Sequence, residues 1–309
     1  MNPVDRVLRR AILAAAESAR LQRFVKRHGM RSGAARFVAG ETFEQAVSVL
    51  RRLNELGLAT NTTLLGEGVT DEGETREVVT AYRGIYDRIA AEGLRANVAL
   101  KLTQLGLVLD EELAYVNLTS LVGHAASHGN FLRIDMEESV HVDATLRIFR
   151  RVRAAGHENV GTVLQSYLYR SGGDLEGLLD LDPNLRFVKG AYLEPPDVAF
   201  PAKEEVDAAY LRLVERSLGA GGFTAVATHD ERLIEHVIAH AAREGIGRER
   251  FQFQLLYGVR SKLQVELARR GYDVLVATPF GPDWYRYLMR RLAERPANVL
   301  FLARALARG

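Results

Sequence analysis

The run Thr224-Ala225-Val226-Ala227-Thr228, a helical period over 231–244, and the run Phe251-Gln252-Phe253-Gln254-Leu255 together decide how this chain folds. Short runs of β-branched and aromatic residues suit strands, whereas apolar residues recurring every three or four positions suit an amphipathic helix. A strand, a helix and a second strand within about thirty residues make a parallel pair joined by a helical crossover.

The unit repeats in both directions. Strand runs of the same kind occupy 59–64, 97–102, 131–136, 160–165 and 185–189 upstream, and 273–277 downstream. Helical periods fill the gaps at 71–92, 110–128, 143–155, 204–220 and 262–270. Eight strands alternating with helices predict an α/β chain closed into a (β/α)8 TIM barrel over 57–309. An open doubly wound sheet is the other arrangement that such alternation allows. It usually carries a Gly-rich turn after its first strand, and no G-x-G-x-x-G occurs here. Ahead of the barrel, 1–56 read as an N-terminal helical segment: an amphipathic helix over 4–27, a linker of glycine and small residues over 28–40, and a second helix over 42–56 stopped by Gly57. The first helix is basic on its polar side, which suits docking on the barrel and also suits contact with an anionic membrane surface.

Composition narrows the function classes. Of the 309 residues 47% are hydrophobic and 26% charged, enough for a sizeable core. The 41 basic residues against 39 acidic ones leave a net charge of +2, so there is no electrostatic footprint for a nucleic-acid partner. Cysteine is absent, which removes disulfides, thiolate nucleophiles and cysteine metal sites together. Redox chemistry would have to come from a bound cofactor. Neither a secretory leader nor a run of about 18 apolar residues is visible, and the expected location is the cytoplasm.

In a barrel of this class chemistry sits at the C-terminal ends of the strands. The polar residues expected there are Lys101, Asp135, Gln165, Arg186, Lys189, Thr228, His229 and Gln254. The last helix adds Tyr287, Arg290, Arg291 and Glu294 at i, i+3, i+4 and i+7, so a phenol, two guanidiniums and a carboxylate share one side. Paired guanidiniums match a carboxylate ligand, although an Arg-rich terminal helix is more commonly a solvated face. Metal binding is disfavoured. His124 and His128 stand at i, i+4, but on a helix outside the barrel and with no evident third ligand. Asp135, Glu137 and Glu138 could hold a hard cation or form a solvated turn. No G-x-S-x-G and no P-loop occurs.

Several of these residues carry a family likeness. Val163-Leu164-Gln165-Ser166-Tyr167, Arg186-Phe187-Val188-Lys189-Gly190-Ala191-Tyr192, Thr228-His229, Phe253-Gln254-Leu255-Leu256-Tyr257-Gly258 and Tyr287-Leu288-Met289-Arg290-Arg291-Leu292-Ala293-Glu294 resemble the proline dehydrogenases, in one order along about 57–302. The match is to the monofunctional, FAD-dependent bacterial type. The resemblance implies a distorted barrel with FAD held non-covalently at the mouth, and oxidation of L-proline to Δ1-pyrroline-5-carboxylate by hydride transfer to flavin N5. It implies that Lys101, Arg290 and Arg291 clamp the substrate carboxylate, with Tyr287 beside them. Glu294 and Asp135 would balance the excess positive charge. Asp135 and Arg186 would be the catalytic pair, with Arg186 tuning the cofactor.

The remaining FAD contacts would come from Met136, Gln165, Val188 and Lys189, from Gly190, Ala191 and Tyr192, and from Thr228, His229, Gln254 and Leu256. One departure stands out: where the family commonly has a tyrosine ending the last strand, thirteen residues before the first arginine, this chain has Ala277. Family members that prefer hydroxyproline also lack that tyrosine, so 4-hydroxyproline enters as a second substrate; Tyr285 could instead fill the space. Glu67 would form a lid ion pair with Arg290. The resemblance also implies a quinone acceptor, hence peripheral contact with the inner membrane, and a product passed to another protein. Two readings from other classes remain: a Schiff-base aldolase or lyase using Lys101 or Lys189, and a non-catalytic barrel binding an anion through Arg290 and Arg291.

Overall fold

Eight parallel strands close into one barrel in the order of the sequence, as the alternation predicts. They are β1 (Ala59–Leu64), β2 (Ala96–Lys101), β3 (Leu132–Asp135), β4 (Val160–Gln165), β5 (Asn184–Val188), β6 (Thr224–Ala227), β7 (Phe251–Leu256) and β8 (Val274–Phe280). The helices, in chain order, are α1 (Phe43–Glu55), α2 (Glu72–Ala91), α3 (Glu111–Ser127), α4 (Val142–Ala154), α5 (Ser171–Glu176), α6 (Lys203–Ala220), α7 (Glu231–Arg243), α8 (Ser261–Arg269) and α9 (Trp284–Glu294). This computed structural model describes residues 18, 22, 23, 25, 34–66 and 68–294, without the side chains of 290 and 292–294. Most of the expected helix over 4–27, Glu67, and the side chains of Arg290 and Glu294 therefore lie outside the described residues.

Successive residues of a strand point to opposite faces. The outward row of each strand, such as Val98 and Leu100 of β2 or Phe251, Phe253 and Leu255 of β7, is buried against the surrounding helices. Each fully buried side chain of this size contributes roughly 1.5–3 kcal/mol. The helices start where short acceptors cap them: Asp71 accepts from Glu74 N at 2.9 Å, and Asp110 accepts from Glu112 N and Leu113 N at 3.2 Å.

Two local expectations change. The 28–40 stretch is not a free linker over its second half, because Ala34, Phe37, Val38 and Ala39 are buried and Ala39 N donates to Pro279 O at 2.8 Å. The last strand also runs three residues beyond Ala277. Proline commonly ends a strand, but β7 stops pairing at Leu256, which leaves β8 an edge at Pro279, while Thr278, Pro279 and Phe280 continue to pair with β1. Ala277 is therefore inside the strand rather than at its end.

Helix α1 packs against β8 and β1, with Ala46, Leu50 and Leu53 in the barrel core and Phe43 5.1 Å from the Phe280 ring. It thus takes a place in the outer ring although it precedes the first strand. Helix α9 buries another set of residues: Trp284, Tyr285, Leu288 and Met289 pack with Ala34, Phe37 and Val38. Trp284 Nε1 fixes this packing by donating to Glu41 Oε1 at 2.8 Å. No helix among the described residues is long and apolar enough to cross a membrane.

Candidate active site at the barrel mouth

Barrels of this class usually fill their interior with branched apolar side chains. This one carries polar groups there. Residues in register on neighbouring parallel strands share a face, and the register joins Asn61 to Asn97 and Ala277, Lys101 to Asp135, Arg133 to Gly161, and Gly161 to Asn184. The side chains confirm that this face points inward, because they meet across the barrel.

Arg186 is the hub of the upper interior. Its Nη1 donates to Asp135 Oδ1 at 2.8 Å, its Nε to Gln254 Oε1 at 2.5 Å and its Nη2 to Asn61 Oδ1 at 3.2 Å. The network continues from Asn61 Nδ2 to Asn97 Oδ1 at 2.5 Å on one side, and from Gln254 Nε2 to Gln252 Oε1 at 2.7 Å on the other. Burial pulls the Arg186 pKa down, and the Asp135 carboxylate opposes that pull. Three of the five guanidinium N–H groups are used in these bonds, which leaves two donors for a ligand. Arg186 and Gln254 lie within their strands rather than at the ends where the sequence put them.

Lys101 ends β2 opposite Asp135. The turn that follows is pinned from two sides: Glu137 accepts from Thr103 N at 3.1 Å and Thr103 Oγ at 2.7 Å, and Gln104 Nε2 donates to Leu64 O at 3.0 Å. Burial pushes the Glu137 carboxyl up, and the Lys101 charge and the Thr103 bonds pull it part of the way back. Asp135, Glu137 and the exposed Glu138 thus go to separate surroundings and form no shared cation site.

The expected cofactor residues form an arc from β3 to β7. Gln165 Nε2 donates to Glu137 O at 2.8 Å, and Met136 and Val188 pack around Val163 and Tyr167. Gly190 has φ +114°, and a Cβ there would overlap the Tyr167 ring, so the backbone comes close where only glycine fits. Ala191 and Tyr192 follow it, half-buried, in the loop after β5. Lys189 Nζ is 2.5 Å from Asp207 Oδ1 and 3.8 Å from Asp230 Oδ2. Thr228 Oγ accepts from Asp230 N at 3.2 Å. His229 Nε2 accepts from Leu256 N at 2.9 Å, so the imidazole proton is assigned to Nδ1.

Tyr287 and Arg291 do share a face of α9, with the guanidinium carbon 5.5 Å from the ring centre. Tyr285 is buried with Trp284, Leu288 and Met289 of α9 and lines a cavity. This cavity, of about 620 Å3, lies to one side of the mouth, between Leu64, Gly66, Glu77, Gln104 and Tyr285, rather than over Arg186.

Asn61, Asn97, Arg133 and Gln252 did not stand out in the sequence. The usable signal was period two: a polar residue at every second position of Phe251-Gln252-Phe253-Gln254 places both glutamines on one face.

An isoalloxazine ring with its heteroatom acceptors fits this site on two observations. Arg186 has donors to spare at the bottom of the mouth, and Gly190 keeps the backbone bare at its edge. Comparison with known proteins gives the family. The sequence model described as Proline dehydrogenase matches residues 46–304. Proline dehydrogenase of Deinococcus radiodurans is 43% identical over 99% of this chain and 100% of its own length. Proline dehydrogenase 1 of Bacillus subtilis strain 168 is 42% identical over 97% of this chain and 99% of its own. Among solved structures, proline utilization A (PutA) from Bdellovibrio bacteriovorus superposes with a TM-score of 0.82 at 23% identity, over 89% of this chain. This chain spans about a third (34%) of that structure's length, and the likeness speaks for the fold alone. With a family model covering most of its length and relatives above 40% identity end to end, the chain belongs to the proline dehydrogenase family.

Proposed function

We propose that this chain is an oxidoreductase acting on the CH–NH group of L-proline, in proline catabolism, with FAD as its cofactor and Δ1-pyrroline-5-carboxylate as its product. The observation that carries the reading is the buried Arg186, braced by Asp135, Gln254 and Asn61 with donors left over, in a chain that matches proline dehydrogenases from end to end. When bound, FAD supplies the two-electron acceptor. Arg186 would face its isoalloxazine, and Gln165, Lys189, Gly190, Thr228, His229 and Gln254 would hold the remainder. Met136, Val188, Ala191, Tyr192 and Leu256 would line it.

The chain's own residues orient the substrate. Arg290, Arg291 and Lys101 clamp the carboxylate, Tyr287 stacks beside Arg291, and Glu294 and Asp135 limit the excess positive charge. Held this way, the ring carbon next to nitrogen, on the side away from the carboxylate, loses a hydride while the nitrogen loses its proton, and the amine becomes the imine. Positioning of this kind supplies several kcal/mol of barrier reduction. Asp135 acts through Arg186, because its Oδ1 accepts the Arg186 Nη1 bond. Ala277 leaves room in the inward row beside Asn61, which favours admission of 4-hydroxyproline as well. The electrons pass on to a quinone or another acceptor.

The visible spectrum of the purified protein is the test. Flavin bands that bleach on anaerobic addition of L-proline are expected. A protein that stays colourless with added FAD, or a flavin that proline does not reduce, would sink the proposal. A borohydride-trapped lysine adduct would favour the Schiff-base alternative. Arg291→Met should lower kcat/KM for proline by more than about tenfold with FAD still bound, since a charge-paired hydrogen bond is worth roughly 1.5–3 kcal/mol.

A further inference from the structure

Helix α3 carries His124 and His128 one turn apart, and the sequence offered them no third ligand. The structure brings one from the neighbouring helix. Asp87 of α2 places its Oδ1 2.8 Å from both His124 Nε2 and His128 Nε2. All three ligand atoms lie within 4.8 Å of one another. The two imidazole rings meet at 75°, converging on the carboxylate instead of stacking, and His124 is set edge-on to the buried Tyr86.

We propose that Asp87, His124 and His128 form a surface site for a divalent transition metal of the zinc class, which pins α2 to α3. Nitrogen and carboxylate ligands bind zinc at about 2.0–2.2 Å, so in a tetrahedral site they stand roughly 3.3 Å apart. From 2.8 Å, Asp87 Oδ1 needs to draw back from each imidazole nitrogen by only about half an ångström to admit the ion. Two imidazoles select zinc, cobalt or nickel over magnesium or calcium, which prefer oxygen alone. Three protein ligands leave a fourth position for water. The site is open to solvent, with side-chain exposures of 57%, 24% and 27% for Asp87, His124 and His128. It also flanks β2, the strand that carries Lys101, because α2 leads into that strand and α3 follows it.

A second pair shows that the spacing alone is not enough. His236 and His240 of α7 face Glu215 of α6 at 2.6 and 3.7 Å. There the His240 Nδ1 accepts from Arg243 Nη2 at 3.0 Å, so a guanidinium already takes the lone pair that a metal would need.

Equilibrium dialysis of the untagged, FAD-loaded protein against micromolar zinc, followed by metal analysis, tests the proposal. The expected result is about one zinc per chain, a melting temperature raised by a few degrees by zinc and returned by chelator. A His124→Gln/His128→Gln variant should lose the zinc and melt in chelator like the wild type. Asp87→Asn should weaken binding by more than roughly tenfold, the loss that even an outer partner of a ligand causes. His236→Gln/His240→Gln should keep the zinc. A wild type that binds no more zinc than the His124/His128 variant, or a loss confined to the His236/His240 variant, would overturn it.

Discussion

Strands β3 and β5 each send two polar side chains into the barrel, and the two levels are built with opposite polarity. At the lower level the arginine is on β3: Arg133 reaches across Gly161 to β5, donating to Asn184 O at 2.7 Å and Thr162 O at 3.0 Å, with Asn184 Oδ1 beside them. At the upper level the arginine is on β5, and Arg186 reaches back to Asp135. Arg133 is 2% exposed and has neutral acceptors only. Its pKa is pulled down by burial and then by the Arg186 charge. Asp135 sits at the open end, with 27% of its side chain exposed. The lower guanidinium is held through Nη1 and Nη2 by neutral acceptors, while its buried Nε has no hydrogen-bond partner among the described residues, and a Cβ at Gly161 would overlap it. The upper one is balanced by a carboxylate at the open end of the barrel. One residue type therefore serves as a strut among neutral acceptors at one level and meets a carboxylate at the open end two residues higher.

The largest effect expected from this contrast is on catalysis. Arg186→Met should reduce kcat/KM for proline by about a hundredfold or more, as removal of a preorganised charge donor does elsewhere. Stopped-flow flavin reduction would check it, and a normal rate would make Arg186 a second strut. Next comes stability. Arg133→Met should leave buried carbonyls without partners and cost about 1–3 kcal/mol in urea unfolding. Its kcat/KM should stay within about threefold of wild type, and a fall as large as that of Arg186→Met would erase the distinction between the levels.

The smallest effect concerns Glu137, the other buried charge near the mouth. Its folded pKa is raised, so the protonated form is the one the fold favours. The stability it contributes is complete below the ordinary carboxyl range and is lost as pH rises through the raised pKa. Glu137→Gln escapes that loss. Its melting temperature relative to wild type should therefore improve between about pH 5 and about pH 8, and a constant gap would mean that the Thr103 bonds hold the ionised form equally well.

Most of the barrel was legible in the sequence. Its strands differ from the expected runs by one residue at most ends, because period and β-branching are local properties of the chain. The run 273–277 stops short of β8, because whether residues 278–280 stay in the sheet depends on their pairing with β1 across the closure and not on local pattern. The family motifs pointed to Arg186 and Gln254, but gave no hint of Arg133 or Asn61. Those two matter through partners 51 and 125 residues away in the chain.

By itself, then, the sequence determined the number and order of strands, the absence of thiol chemistry and the family. Only the tertiary structure decided which polar residues face inward together, which of two buried arginines meets a carboxylate, and that Asp87 meets His124 and His128. The physical reason is the closure of the barrel. Period two fixes which face a side chain takes, but only closing the sheet brings the inward faces of β1, β3, β5 and β7 within hydrogen-bonding reach.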